Sequence, residues 1–325
     1  MPIYQTDFTP NFRWRNPHLQ TIWPAKTRRV FIPKRTDHWV TLSDGDQILL
    51  ESMHHESEQE SEIGVLLIHG LSGSADSPYI LGLQKKLSAA GYASVAMNMR
   101  GAKEPNNRAR TYHSGSSDDV SEIVRYLSDL YPNRQWIAIG FSLGGNVLLK
   151  YLGESANNHL KTAVAVSVPL RLDVCASHLD TGISRIYRGH LLKELRRYQS
   201  ERYRFLKKSH PEQAEVLSSV PYNKKFTSFW DYDHQVVAPL NGFESAEDYY
   251  QKCSSRYYLN TITTPTLIIQ ATDDPFMNKE VLPREGELSH AVTLELNSYG
   301  GHVGFYTGSE YYVEERILEW IGCII

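Results

Sequence analysis

The sequence predicts an α/β fold: a mostly parallel central sheet with helices on both faces and a helical insertion late in the chain. Three observations carry that expectation. Short apolar runs alternate with longer amphipathic ones from residue 65 onward, the pattern of strands joined by crossover helices. One such run, over 136–139, leads directly into Gly140-Phe141-Ser142-Leu143-Gly144 and then into a helical stretch over 146–152, the strand, turn and helix order of a nucleophile elbow. Finally, 325 residues at 41% hydrophobic and 22% charged can bury a large core without disulfides or a structural metal.

The elements follow in order. Residues 1–35 mix proline and tryptophan with the arginines between Arg13 and Arg35 and show little periodicity, so they are expected to pack as an extension on the outside of the core. A membrane-surface role is the alternative for this mixture of basic and aromatic residues, although no amphipathic helix is legible in it. Trp39-Val40-Thr41-Leu42-Ser43, the turn Asp44-Gly45-Asp46 and Ile48-Leu49-Leu50 read as a β-hairpin. The acidic stretch 51–62 reads as a solvated loop. Strands are then expected over 65–68, 93–97, 136–139 and 162–168, and helices over 80–90, 118–131 and 146–152. Alternation breaks between 171 and 242, where basic and aromatic residues dominate. This segment is expected to be a helical lid, with 1–170 and 243–325 forming the core. A helix over 246–250 and a strand over 265–270 restore the pattern, which runs on to Trp320.

A formal charge of −3 gives no reason to expect nucleic acid. Cys175, Cys253 and Cys323 are odd in number, far apart and without C-x-x-C spacing, so neither a disulfide framework nor a zinc site is implied and a reducing cytoplasm fits. The N-terminus has no basic stretch followed by an apolar core, and no 18-residue window is uninterruptedly apolar, so a soluble, uncleaved protein without stable membrane insertion is expected. No residue pattern calls for a cofactor or a metal.

A serine hydroxyl is a poor nucleophile at neutral pH, so Ser142 needs a base within hydrogen-bond reach and an acid to orient that base. In folds built around such an elbow, the acid and then the histidine follow the serine along the chain. His302, in Ser298-Tyr299-Gly300-Gly301-His302-Val303-Gly304-Phe305, stands in a glycine loop after the alternating stretch 292–296 and is the expected base. The acid lies in Ala271-Thr272-Asp273-Asp274-Pro275. Asp274 is favoured because the following proline biases its backbone and stiffens the turn, with Asp273 left to cap or brace it and kept as the rival. The oxyanion hole is expected from the backbone N–H groups of Leu143, after the serine, and Leu71, in His69-Gly70-Leu71-Ser72-Gly73. His69 is expected to shape that loop rather than to react.

These blocks, together with Asn16-Pro17-His18-Leu19-Gln20-Thr21, Arg100-Gly101, Glu104-Pro105-Asn106 and Tyr112-His113-Ser114-Gly115, resemble the YheT branch of the α/β-hydrolase superfamily across nearly the whole chain. The resemblance implies a carboxylic ester hydrolase with a Ser-Asp-His triad, related to eukaryotic abhydrolase-domain proteins acting on acyl lipids, and maps the triad onto Ser142, Asp274 and His302. The expected substrate is a small acyl ester of short to medium chain, hydrolysed through an acyl-enzyme. A thioesterase, an acyltransferase or a catalytically silent binding protein is the alternative. Tyr112-His113-Ser114-Gly115 reads as the approach to a helix whose free N–H groups a serine or aspartate caps, or else His113 or Arg100 lines the pocket.

Overall fold

The computed structural model describes residues 2–6, 8–31, 35–53 and 62–325. Nine strands form one sheet: β1 (Ile3–Gln5), β2 (Thr36–Thr41), β3 (Gln47–Met53), β4 (Ile63–Ile68), β5 (Ala93–Met97), β6 (Gln135–Phe141), β7 (Leu160–Val166), β8 (Thr266–Ala271) and β9 (Val292–Asn297). Their order is β1-β9-β8-β7-β6-β4-β5-β3-β2. All pairings are parallel except β2 with β3 and β3 with β5. The central strands are buried on both faces, which explains their unbroken apolar sequences. Side chains alternate across the sheet: Leu66 and Ile68 of β4 join one apolar cluster, Val65 and Leu67 the other.

Helices cover each face. The first cluster meets Val120, Ile123 and Leu127 of α3 (Ser117–Leu130) and Val147, Leu148 and Leu152 of α4 (Leu143–Glu154). The second meets Ile80, Leu83 and Leu87 of α2 (Pro78–Ala89) and Val313, Ile317 and Ile321 of α11 (Tyr312–Ile324). Between β7 and β8 lie α5 (Leu172–His178), α6 (Ser184–Ser209), α7 (Pro211–Ser218), α8 (Phe229–Tyr232), a π-helical stretch Asp233–Val237, α9 (Ala238–Leu240) and α10 (Ala246–Cys253). A third apolar cluster, including Leu206, Leu217, Val236 and Tyr249, joins them. No described helix is long and apolar enough to cross a membrane.

Two sequence expectations change. The loop assigned to 51–62 starts later, because β3 continues through Met53 with Glu51 buried. The Glu51 carboxylate earns that place by pairing with Arg35 and Lys103 and accepting from Asn98 Nδ2 at 2.8 Å. Residues 54–61 lie outside the described residues. The N-terminal extension is more than outer packing: β1 adds an edge strand beside β9, and residues 17–27 form α1 (Pro17–Thr27). Asn16 caps that helix, accepting from the N–H groups of His18 and Leu19, and Pro17 starts it. Its only buried residues are Gln20 and Pro24, so it carries no apolar stripe from which it could have been read.

Candidate active site

Four loops meet at the carboxyl ends of the parallel strands, where ligands bind in open α/β sheets. After β6 the chain turns into α4 through Ser142, whose φ of 51° and ψ of −120° place a non-glycine residue in strained backbone. The flanking glycines make the turn possible. A Cβ on Gly140 would stand 2.6 Å from the Gly144 carbonyl oxygen, and one on Gly144 would run into the backbone oxygens of His69 and Ile68. Ser142 N–H donates to Val166 O at 2.8 Å, tying the elbow to the neighbouring strand.

His302 lies in the loop after β9. Its Nε2 is 2.8 Å from Ser142 Oγ and its Nδ1 is 2.7 Å from Asp274 Oδ2. With the Nδ1 proton on the carboxylate side, Nε2 turns its lone pair to the hydroxyl. Asp274 is buried, and its other oxygen accepts the Phe276 N–H at 2.8 Å. The Phe276 ring stacks on the imidazole, 3.9 Å between centroids and 3° from parallel. Asp273 does not face the imidazole: its Oδ1 accepts the Gly301 N–H at 2.9 Å and braces the histidine loop. Burial pushes Asp273 up to about 6, with the Gly301 hydrogen bond pulling the other way and the Asp274 charge adding to the rise.

The loop after β4 is clamped by two phenols. Tyr79 Oη accepts from Gly70 N–H and Tyr112 Oη from Ser72 N–H, each at 2.9 Å, while Gly73 N–H donates to Gly70 O. Leu71 N–H meets no acceptor among the described residues. Leu143 is the first residue of α4, so its N–H has no intrahelical acceptor. The two amides expected to hold an oxyanion are therefore the uncommitted ones. His69 is fully buried, its Nδ1 on Gly70 O at 2.8 Å and its Nε2 accepting Met99 N–H at 3.1 Å. Burial drives it down to about 4, the Gly70 hydrogen bond opposing, so it is a neutral strut of the loop.

Sequence reading missed what the extension does here. Thr21 Oγ1 accepts the His302 N–H at 2.9 Å, and Gln20, fully buried, accepts from Tyr306 N–H while donating to Trp14 O and Tyr306 O. The Asn16-to-Thr21 block thus seats the histidine loop. Its capping Asn-Pro pair was the available signal. Two further expectations divide. His113 lines the cavity, neutral and buried, pushed down to about 3 by burial and then by Arg110. Arg100 does not, because it is held by Asp119, Asp44 and Asp46. The hydroxyl oxygen of Ser116, preceding α3, accepts from the His113 N–H at 3.0 Å and makes no cap bond to the helix, which corrects the expected serine cap.

The cavity at Ser142 measures about 310 Å³ and is mostly apolar, walled by side chains such as Leu71, Leu143, Leu179, Leu191, Leu195 and Phe229. Among the described residues no group of three or more His, Cys, Asp or Glu side chains is placed to hold a metal ion. An imidazole bridging alcohol and carboxylate, beside two unpaired amides, can deprotonate the alcohol and stabilise an oxyanion.

The chain matches the family model for the alpha/beta hydrolase fold over residues 64–309. It is 35% identical over 323 residues to YheT of Escherichia coli (strain K12), a candidate esterase by name, covering 97% of this chain and 93% of that one. It is 27% identical to the human monoacylglycerol lipase ABHD2, covering 100% and 80%, and 28% identical to the mouse phospholipase ABHD3, covering 90% and 74%. Among solved structures, the Pyrococcus furiosus esterase Pf2001 superposes with a TM-score of 0.59 at 18% identity, covering 91% of this chain and 97% of that one, a likeness of fold alone. The chain belongs to the α/β-hydrolase family, in the YheT-like branch related to the ABHD proteins.

Proposed function

We propose that the protein is a serine carboxylic ester hydrolase. The observation that carries this reading is the unbroken hydrogen-bond chain from Asp274 through His302 to Ser142. Its relatives are named for ester-cleaving activities, which agrees with it. His302 Nε2 takes the Ser142 proton as Oγ attacks the ester carbonyl, and the Leu71 and Leu143 amides receive the developing oxyanion. The imidazolium, held by Asp274, returns the proton to the departing alkoxide. Water, deprotonated by His302, then attacks the acyl-enzyme and releases the acid and Ser142.

The segment 171–242 acts in this reading as a lid. Leu179, Leu191 and Phe229 from it wall the cavity, whose size suits short to medium acyl chains. A fluorophosphonate probe tests the nucleophile: the folded protein should be labelled and Ser142→Ala should not. A p-nitrophenyl ester series from acetate upward should show hydrolysis with a short- to medium-chain optimum. A folded protein that neither takes the label nor cleaves any member of the series ends the proposal.

A further inference from the structure

Two arginines line the cavity at Ser142, and their surroundings differ. Arg28, at the C-cap of α1, is ion-paired to Glu314 at 2.5 Å and lies over the Tyr311 ring. Arg202, on α6, is only 4% exposed and has no carboxylate partner among the described residues. Its Nη2 donates to Gln199 Oε1, and Gln199 Nε2 donates in turn to Tyr232 Oη at 3.0 Å. Its Nε is buried with no acceptor among the described residues. A guanidinium carries five N–H donors, so one neutral amide oxygen leaves most of them unmet. A cation in such a place is costly until an anion joins it.

The protein's own nearby carboxyl groups are committed elsewhere. Asp46 is held by Arg100, Asn106 and the Asn107 N–H, and Asp233, which also lines the cavity, accepts the Tyr250 hydroxyl at 2.6 Å and forms no ion pair with Arg202. Burial draws Arg202 down to about 10 against the pull of Tyr232 and Asp46, which leaves it charged at neutral pH. Its position suits a substrate contact. Helix α6 begins beside the acid turn, where Ser184 Oγ donates to Pro275 O, and passes the loop after β4, where Tyr198 Oη reaches Ser72 O at 3.4 Å. Arg202 stands one helical turn beyond Tyr198, about 6 Å along the axis.

We propose that Arg202, oriented by Gln199 and Tyr232, forms an anion-binding subsite in the ester pocket, so that the preferred substrate carries a carboxylate or phosphate remote from the scissile ester. The subsite rests on the ester-hydrolase reading of Ser142, and its test separates the two. Ser142→Ala protein is titrated calorimetrically with octanedioic acid monomethyl ester, octyl phosphate and the neutral octanedioic acid dimethyl ester. Charge-assisted hydrogen bonds should make at least one anion bind about tenfold or more tightly than the diester. Arg202→Met in that background should bring anion and diester within about twofold, while Arg202→Lys, which keeps the charge and loses the planar fork, retains part of the preference. Which anion loses more tells carboxylate from phosphate. Equal binding of neutral and anionic ligands, or an anion preference that survives Arg202→Met, overturns the subsite.

Because the Ser142→Ala variant lacks the nucleophile, the binding result stands whether or not the enzyme cleaves esters. In the intact enzyme, kcat/KM for 4-nitrophenyl hydrogen octanedioate over 4-nitrophenyl octanoate should be about ten or more and approach one in Arg202→Met. Hydrolysis of both esters without that ratio rejects the subsite and leaves the ester reading intact. Hydrolysis of neither counts against the ester reading alone.

Discussion

His302 is held from three sides: by the Asp274 carboxylate on Nδ1, by the stacked Phe276 ring and by Thr21 on its backbone N–H. Each contact yields a separate expectation. Asp274→Asn keeps the shape and offers the imidazole the wrong partner, so kcat on a p-nitrophenyl ester should fall by about 10⁴. Asp273→Asn retains an oxygen for the Gly301 N–H and should cost less than about tenfold. The reverse ranking in measured kcat would make Asp273 the acid. Thr21→Val removes the acceptor of the His302 N–H, and the loss of about 1 kcal/mol should lower kcat about fivefold with little change in KM. The proposed oxyanion donors are main-chain groups, so truncating Leu71 or Leu143 to alanine should do far less than the hundredfold or more that losing a donor costs.

At the scale of elements, the elbow stores strain that the strand and helix on either side hold in place. Gly144→Ala would drive a methyl group into the carbonyl oxygens at the end of β4, which cannot move without disturbing the sheet. A loss of about 2–3 kcal/mol or more in urea unfolding is expected, together with loss of fluorophosphonate labelling. Wild-type stability in that variant would show that the loop after β4 yields more easily than its contacts imply. Legibility also varied by element. Helix α3 was readable almost to the residue, expected over 118–131 and found at Ser117–Leu130, because its apolar residues recur on one face. Helix α1 was not readable, because it packs through a glutamine and a proline. The extent of β3 was hidden because its buried Glu51 looks like a loop residue until Arg35, Lys103 and Asn98 surround it.

Over the whole molecule, buried titratable groups pull stability in opposite directions with pH. His69 and His113 titrate near 4 and 3 when folded, against 6.5 ordinarily. Below 6.5 the unfolded chain binds protons that the folded protein refuses, so their contribution is complete above 6.5 and is lost as pH falls through the folded values. Asp233, raised to about 7 by burial against the opposing Tyr250 hydrogen bond, and Asp273, raised to about 6, work the other way from 3.8: their contribution is present at the acid end and lost as pH rises. The two sets largely offset between about 4 and 6.5. Asp233→Asn should therefore gain on the wild type as pH rises from about 4 to 7, at no more than about 1.4 kcal/mol per pH unit. Urea unfolding at pH 5 and pH 7.5 measures this, and an equal difference at both would show that Asp233 titrates normally. What the sequence by itself determined were properties that live in short windows: strands and helices from periodicity, the elbow from glycine spacing, and the kinds of side chain a serine nucleophile needs. Only the tertiary structure decided which aspartate faces His302, what the N-terminal block supports, that Arg100 is locked in carboxylates and that Arg202 is not. These depend on which loops and helices meet at one edge of the sheet. The Thr21 to His302 contact alone spans 281 residues, and no local pattern encodes a contact at that range.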